Sequence, residues 1–206
     1  MGTRERRERE RQETRERIVD AARDLFATRG VEATTMRAIA ERIEYTPTAI
    51  YHHFRDKDEL ILEICHRDFR ALAQQFARIG RIDDPVERLR RIGQAYVEFA
   101  VEFPNHYRIM FMTSIPKHEH DDLRRGNPEE DAYAFLVESV AEAIQQGRLR
   151  PELSDPHQVG QMVWGATHGI VSLHLAKCED QWIEWRDVRE TALLLNDAIL
   201  RGLLRG

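Results

Sequence analysis

Thr35, Arg37, Thr46, Thr48, Tyr51, His52 and Lys57 bring hydroxyl, guanidinium, imidazole and ammonium donors into one short stretch of a 206-residue chain, with Pro47 in their midst. Donors of these kinds suit phosphate oxygens and the edges of bases. Thr46, Thr48 and Tyr51 suit base edges or thymine methyls, Thr35, Tyr51, His52 and Lys57 suit phosphates, and Arg37 suits either. The plain alternative for each is an exposed polar residue partnered by solvent.

Such chemistry needs a rigid platform, and the apolar pattern around these residues provides one. Met36, Ile39, Ala40 and Ile43 recur at helical spacing and give one short helix a buried stripe. Thr46 stands where an N-cap oxygen is wanted, and Pro47 takes the first helical position, where its missing N–H is no loss. A second short helix therefore begins there, anchored inward by Ile50 and Phe54 and leaving Thr48, Tyr51 and His52 outward. Neither helix is long enough to stand alone. Ile18, Val19, Ala22, Leu25 and Phe26 define a supporting helix that Gly30 stops. Asp56 and Glu59 have capping-box spacing and open a long helix through Leu60, Ile61, Ile64, Phe69 and Leu72 to about Gly80. Lys57 at its start is placed for a phosphate. The outline is a helix-turn-helix whose second helix reads a major groove.

Over residues 14–62 the chain resembles the tetracycline-repressor (TetR) family of bacterial transcription regulators. The resemblance rests on Ala21, Ala22, Leu25, Phe26 and Gly30, on Thr34 and Thr35, on Ile39-Ala40, on Ile50-Tyr51-His52-His53-Phe54, and on Lys57 with Glu59-Leu60. The family usually has Gly in the turn between the two helices, whereas this chain has Glu44, followed by Tyr45. If that position needs a positive φ, Glu44 carries strain there. The resemblance implies an all-α protein of two domains: an arm and helix-turn-helix domain over residues 1–57, and a helical effector-binding and dimerisation domain over residues 58–206. It also implies a homodimer on double-stranded operator DNA, with recognition helices roughly 34 Å apart, acting as a repressor that a small effector releases.

Composition limits the alternatives. Charged residues make up 33% and apolar ones 42%, with few Pro and Gly, as suits a helix-rich fold. No apolar run reaches the roughly 18 residues of a membrane span, and the Arg/Glu-rich start lacks the apolar segment of a signal peptide, so a cytoplasmic location is expected. Cys65 and Cys178 are the only cysteines, show no CxxC spacing, and are expected to be reduced and part-buried. The net charge is −5, but its distribution is uneven. Residues 1–55 hold 12 Arg against 10 acids, so +2, and the remainder 19 Lys plus Arg against 26 acids, so −7. The motif, more than the charge, points to DNA.

Residues 3–17 alternate Arg and Glu with no apolar residue. They read either as an extension of the first helix, with Glu5–Arg9 and Glu13–Arg17 pairs worth about 0.3 kcal/mol each, or as a mobile arm. In the second reading Arg4, Arg6, Arg7 and Arg11 meet phosphates or a minor groove.

Beyond Asp83-Asp84-Pro85, the order is an amphipathic helix over Val86–Phe103, a short segment His106–Met112 dense in aromatic and Met residues, and helices over Pro128–Gly147, Asp155–Lys177 and Val188–Leu204, with a charged loop at Ser114–Asn127. The helix over Asp155–Lys177 is apolar nearly all round and is expected to be buried nearly all round. Val163, Gly165, Ala166, Gly169, Ile170, Leu173, Leu193 and Leu200 are the candidate dimer face, where Gly165 and Gly169 permit close approach of another helix; the alternative is a core within one chain.

Trp164, Thr167, His168 and Val171 share one stripe, and WGATHGIVSL resembles the Trp-His-Gly signature of one subgroup of TetR-family C-terminal domains. They read either as core, with the imidazole hydrogen-bonded internally, or as the lining of a pocket for a hydrophobic or aromatic effector. Tyr96, Phe99, Phe103, Met110, Phe111 and Phe135 would complete that pocket, with His168 and His174 supplying polarity. His118, Glu119, His120 and Asp121 lie in the charged loop without a matching Cys or His cluster, so a solvated run is expected and no metal or cofactor. GxSxG, HExxH and phosphate-loop motifs are absent, which argues against an enzyme. A ligand-independent, nucleoid-type DNA-binding protein is the alternative function.

Overall fold

Short side-chain caps decide where most helices of this chain begin. The computed structural model describes residues 2–80, 82–113 and 126–205. Among them run α1 (Thr3–Arg29), α2 (Met36–Arg42), α3 (Pro47–Tyr51), α4 (Lys57–Ile79), α5 (Pro85–Glu102), α6 (Pro104–Met112), α7 (Ala132–Gln145), α8 (Pro156–Lys177) and α9 (Val188–Leu203). The described residues form no β-strand, only an isolated antiparallel bridge between Leu149 and Leu204. The carboxylates of Asp84, Asp131, Asp155 and Asp187 accept from backbone N–H groups of the first turns of α5, α7, α8 and α9. Each satisfies donors that a helix start leaves unpaired. Pro85 and Pro156 follow two of these caps at the first helical position.

The chain forms two compact units, one comprising Met1–Asp68 with Asn105–Asp122 and the other Phe69–Pro104 with Leu123–Gly206. In the first, Ile18, Val19, Ala22 and Phe26 of α1 are buried together with Ile39 and Ala40 of α2, Ile50 of α3, and Leu60, Ile61 and Ile64 of α4. Gly30 ends α1 at φ 82°, a conformation that costs Gly little, and its N–H donates to the Phe26 carbonyl. In the second, Leu89, Ile92, Tyr96, Phe99 and Ala100 of α5 are all buried, as their helical spacing predicts.

Residues 3–17 extend the first helix, in agreement with the first of their two readings: they are continuous with α1. Several other expectations are corrected. Among the described residues, the ion pairs within this stretch are Arg6–Glu10 and Arg9–Glu13. Glu5 instead accepts from the Gly2 N–H, and Arg17 turns toward Tyr45. α7 starts at Ala132 because Asp131 is the cap, while the N–H groups of Glu130 and Asp131 donate to the Asn127 carbonyl in a preceding turn. α8 is buried along one stripe only, namely Val159, Gly160, Val163, Thr167 and Val171, and leaves Met162 and Leu173 about half exposed at 46% and 50%. An apolar helix surface in one chain need not be covered by that chain. Cys65 is buried, but Cys178 is exposed. His118, Glu119, His120 and Asp121 lie outside the described residues.

Candidate nucleic-acid interface

α3 is five residues long, so everything that fixes its direction lies outside it. Thr46 Oγ accepts from the Ala49 N–H at 3.2 Å, and Thr35 Oγ does the same for Ala38 at the start of α2. Both hydroxyls keep a proton to donate outward. Ile50 and Phe54 are fully buried beneath, while Thr48, Tyr51 and His52 are exposed, Tyr51 by 53%.

The arginines of α1 brace α3 and the turn before it. The Arg15 guanidinium lies 4.1 Å from the Phe54 ring centroid, donates to the His53 carbonyl at 2.8 Å, and pairs with Glu63 at 3.1 Å. Arg67 of α4 joins the same network through Glu63 and Glu16. Two residues further along α1, Arg17 donates to the Ile43 carbonyl at 3.3 Å and stacks 5.3 Å from the Tyr45 ring centroid. Between Ile43 and Tyr45, Glu44 adopts φ 61°, and among the described residues it is the one non-Gly residue with a positive φ. Tyr45 N–H then donates back to the Ala40 carbonyl at 2.9 Å and closes the turn. Burial, reinforced by Arg11 and Arg15, holds the His53 imidazole below its usual pKa. Glu44→Gly is expected to stabilise the protein by about 1 kcal/mol, because the left-handed conformation penalises a side chain. A urea-denaturation midpoint that fails to rise would count against strain at this turn.

The remaining candidate residues are more engaged than their sequence context suggests. Lys57 Nζ donates to the Val31 carbonyl at 2.9 Å, which tethers α4 to the loop after α1. Arg37 is 79% exposed in its side chain and pairs with Glu41 one turn away at 2.9 Å. Asp56 accepts from the Glu59 N–H as a capping box requires, but the Glu59 carboxylate accepts from Arg55 rather than Asp56.

In the second unit Tyr96, Trp164 and His168 meet. Trp164 Nε1 donates to the Tyr96 hydroxyl at 3.1 Å, and that hydroxyl lies 3.0 Å from His168 Nδ1. A Tyr hydroxyl that receives the indole proton and donates onward requires Nδ1 unprotonated, and burial pushes the His168 pKa down in agreement. Tyr133 extends the group, with its ring 6.0 Å from Trp164 and its hydroxyl 3.2 Å from His157 Nδ1. Phe99, Phe135, Thr167 and Val171 are buried in this unit and Phe103 is exposed, whereas Met110 and Phe111 belong to the first unit. An unfolded chain takes up a proton near the ordinary histidine value of 6.5, and the folded one resists it. Stability is therefore full above about pH 7 and falls as pH drops through 6.5. Thermal unfolding between pH 8 and 5 should show this fall, and His168→Gln should flatten it.

Gly165 and Gly169 are exposed, and beyond the chain neighbours and the adjoining backbone of α8 itself no atom of the described residues lies within 4 Å of a Cβ built on either. Leu173 and Leu193 are also exposed, Ala166 and Ile170 are partly so, and Val163 and Leu200 face the unit's own core. Leu194 and Trp182, absent from the expected face, are more exposed still, at 73% and 81%.

Comparison with known proteins decides the lineage. Residues 18–64 match the model of bacterial regulatory proteins of the tetR family, and residues 89–187 match the tetracyclin repressor-like C-terminal domain. The chain belongs to the TetR family. It is thus an all-α, DNA-binding transcriptional regulator, with a helix-turn-helix at its N-terminal end and a helical C-terminal domain. It is 33% identical over 148 residues to the transcriptional regulator UidR of Escherichia coli, a match covering 72% of this chain and 61% of that one. It is 28% identical over 149 residues to the repressor KstR2 of Mycolicibacterium smegmatis, covering 68% and 69%. SmeT of Stenotrophomonas maltophilia, solved with triclosan, is 25% identical with a TM-score of 0.71, over 93% of this chain and 92% of that one. TetR regulators of this kind are not enzymes, and among the described residues no three His, Cys, Asp or Glu side chains gather as a metal site. Among the described residues no helix is long and apolar enough to cross a membrane.

Membership gives α2 and α3 their part as the helix-turn-helix, which makes the bracing residues functional as well as structural. Sequence reading did not single out Arg15, Glu63, Arg67 or Asp68, and it gave Arg17 only a surface pair with Glu13. The available signal for Arg15 and Arg17 was their register: they fall within about one turn before Ile18 and Val19, just where the apolar face of α1 runs out.

Proposed function

We propose that this regulator acts as a cytoplasmic homodimeric repressor, in which Thr35, Arg37, Thr46, Pro47, Thr48, Tyr51, His52 and Lys57 meet operator DNA and a small hydrophobic or aromatic effector releases it. The observation that carries the reading is a short, polar-faced α3 whose buried side is fixed by Ile50 and Phe54 and whose outer side leaves Thr48, Tyr51 and His52 exposed. Thr48 and Tyr51 then read base edges, and Lys57, already bonded to Val31, approaches a phosphate with its two remaining protons. The open side of α8 and α9, where Gly165, Gly169, Leu173 and Leu193 lie, supports pairing with a second copy. Two heads one helical turn apart would then read a near-palindrome.

The group of Tyr96, Trp164, Thr167, His168 and Val171, with Phe99, Phe103 and Phe135 in the same unit, supports an apolar effector site with few polar groups. It also fits the Trp-His-Gly subgroup. SmeT, of the same fold, was solved in complex with triclosan. An effector acts here only through its differential affinity for two head arrangements.

Footprinting at physiological salt on the DNA upstream of its own coding sequence tests the proposal. The expected result is a protected near-palindrome with affinity roughly 10³-fold above random DNA. Equal affinity for both would favour a nucleoid-type role. Tyr51→Ala is expected to weaken operator binding by about 1–3 kcal/mol without dissociating the dimer; unchanged affinity in a gel-shift titration would remove Tyr51 from the interface.

A further inference from the structure

The first four turns of α1 carry no apolar residue, yet they are one-sided. Arg4, Arg7, Arg11 and Arg15 recur every three or four residues and so share one helix face, in line with Ile18 and Ala22 further along. Arg6 and Arg9 lie off that face and are neutralised by Glu10 and Glu13. Arg4, Arg7 and Arg11 are exposed and make no ion pair among the described residues, and Glu8, four residues after Arg4 and three before Arg11, borders the stripe. The last member of the stripe, Arg15, is fixed to the C-terminal end of α3 through the Phe54 ring and the His53 carbonyl. Arg11, one turn back, sits near enough to His53 to act on it electrostatically. The stripe therefore starts beside the end of the recognition helix and projects past it, with Arg7 and Arg11 about 6 Å apart along the axis. In a chain of net charge −5, three unneutralised guanidinium groups in a row beside α3 are a local anion-binding edge.

We propose that Arg4, Arg7 and Arg11 form a second DNA contact, a rigid helical edge that binds backbone phosphates flanking the half-site read by α3. This rests on the reading of α3 as the element that enters the groove. Such contacts add affinity and fix register but carry no sequence information. Guanidinium groups suit the role because they hold phosphate bidentately.

The test uses the full-length protein and a labelled duplex that the wild type selects from a random-sequence pool, with the unselected pool as a second probe. Binding is followed by fluorescence anisotropy across a salt series. The triple variant R4A/R7A/R11A is expected to lose about 10- to 100-fold in affinity on both probes. Its log–log salt dependence should flatten by about 0.9 for each phosphate contact removed, while the preferred sequence stays the same. R4K/R7K/R11K should restore the slope, and R6A/R9A, on the neutralised side, should change neither quantity. An unchanged slope in the triple alanine variant, or an equal loss in R6A/R9A, would overturn the proposal. So would a loss confined to A·T-rich flanks with the slope intact, which would indicate minor-groove reading instead. Tyr51→Ala reports separately on α3: it should cut the preference for the selected duplex by about 5- to 150-fold, the equivalent of 1–3 kcal/mol, and keep the arginine-dependent slope. If Tyr51→Ala leaves the preference unchanged, the α3 assignment fails whatever the edge does.

Discussion

Phe54→Ala is expected to destabilise the first unit by about 3–5 kcal/mol, the range for emptying a buried aromatic site. Phe54 is 1% exposed, and it does two jobs at once. Its ring fills the space beneath α3 together with Ile50, and one ring face carries the Arg15 guanidinium at 4.1 Å, which also holds the His53 carbonyl and Glu63. Removing the ring leaves a cavity, unseats Arg15, and frees the end of a helix too short to persist by itself. Loss of DNA binding should therefore appear at denaturant concentrations where the helical signal of the protein is still largely intact. Phe54→Leu, which keeps apolar volume but not the ring face, should fall between the two. Equilibrium denaturation followed by both circular dichroism and DNA binding checks this, and coincident transitions with a loss below about 1 kcal/mol would contradict it.

Much of this arrangement was legible in the residues themselves, because capping and apolar spacing are local. Thr46-Pro47 set the start of α3, Asp84-Pro85 and Asp155-Pro156 set α5 and α8, and Gly30 stopped α1. The positive φ at Glu44 was conditional on the turn needing it, and the geometry of the turn does need it. Local rules failed where two caps competed. Pro128 suits the start of a helix, but Asp131 lies three residues later with a carboxylate that accepts from both Tyr133 and Ala134. α8 illustrates a different limit. Its composition implies burial all round, yet hydrophobicity says only that a surface seeks cover, not which chain covers it. Contacts between elements remote in sequence left no periodic trace. Arg15 on His53, Lys57 on Val31 and Asn196 on the Arg90 carbonyl each span tens of residues.

Asp68 shows that limit most sharply and carries the second large expectation. It is 2% exposed on α4, with Arg23 of α1 at 2.8 Å and His106 of α6 at 3.0 Å on the same carboxylate oxygen, Oδ1. A carboxylate so placed in an otherwise apolar helix face reads in sequence as a surface residue. In the fold it joins α1, α4 and α6, and Arg23 is itself largely buried. Breaking a buried ion pair from one side costs about 3–5 kcal/mol, because the charge left behind has lost its partner and cannot recover full hydration. Asp20, more exposed, still reaches Arg23 at 3.1 Å, so Asp68→Ala is expected near the lower end of that range. Asp68→Asn keeps a hydrogen-bond acceptor without the charge and should cost less. Cys65, three residues earlier on α4, offers a local readout. Burial, with the Asp68 charge adding to it, pushes its thiol up to about 12, so it stays protonated and unreactive in the folded protein. In a Cys178→Ser background, which removes the exposed thiol, labelling of Cys65 therefore requires opening of the first unit. Asp68→Ala should speed that labelling by the factor that corresponds to its stability loss, roughly 100-fold or more at 3 kcal/mol in the fast-reclosing regime. Operator affinity well below the unfolding midpoint should stay near wild type, because neither Asp68 nor its partners lies on the exposed face of α3. Slow labelling in Asp68→Ala would mean that Arg23 is satisfied by Asp20 alone and that the buried carboxylate does not hold the three helices together.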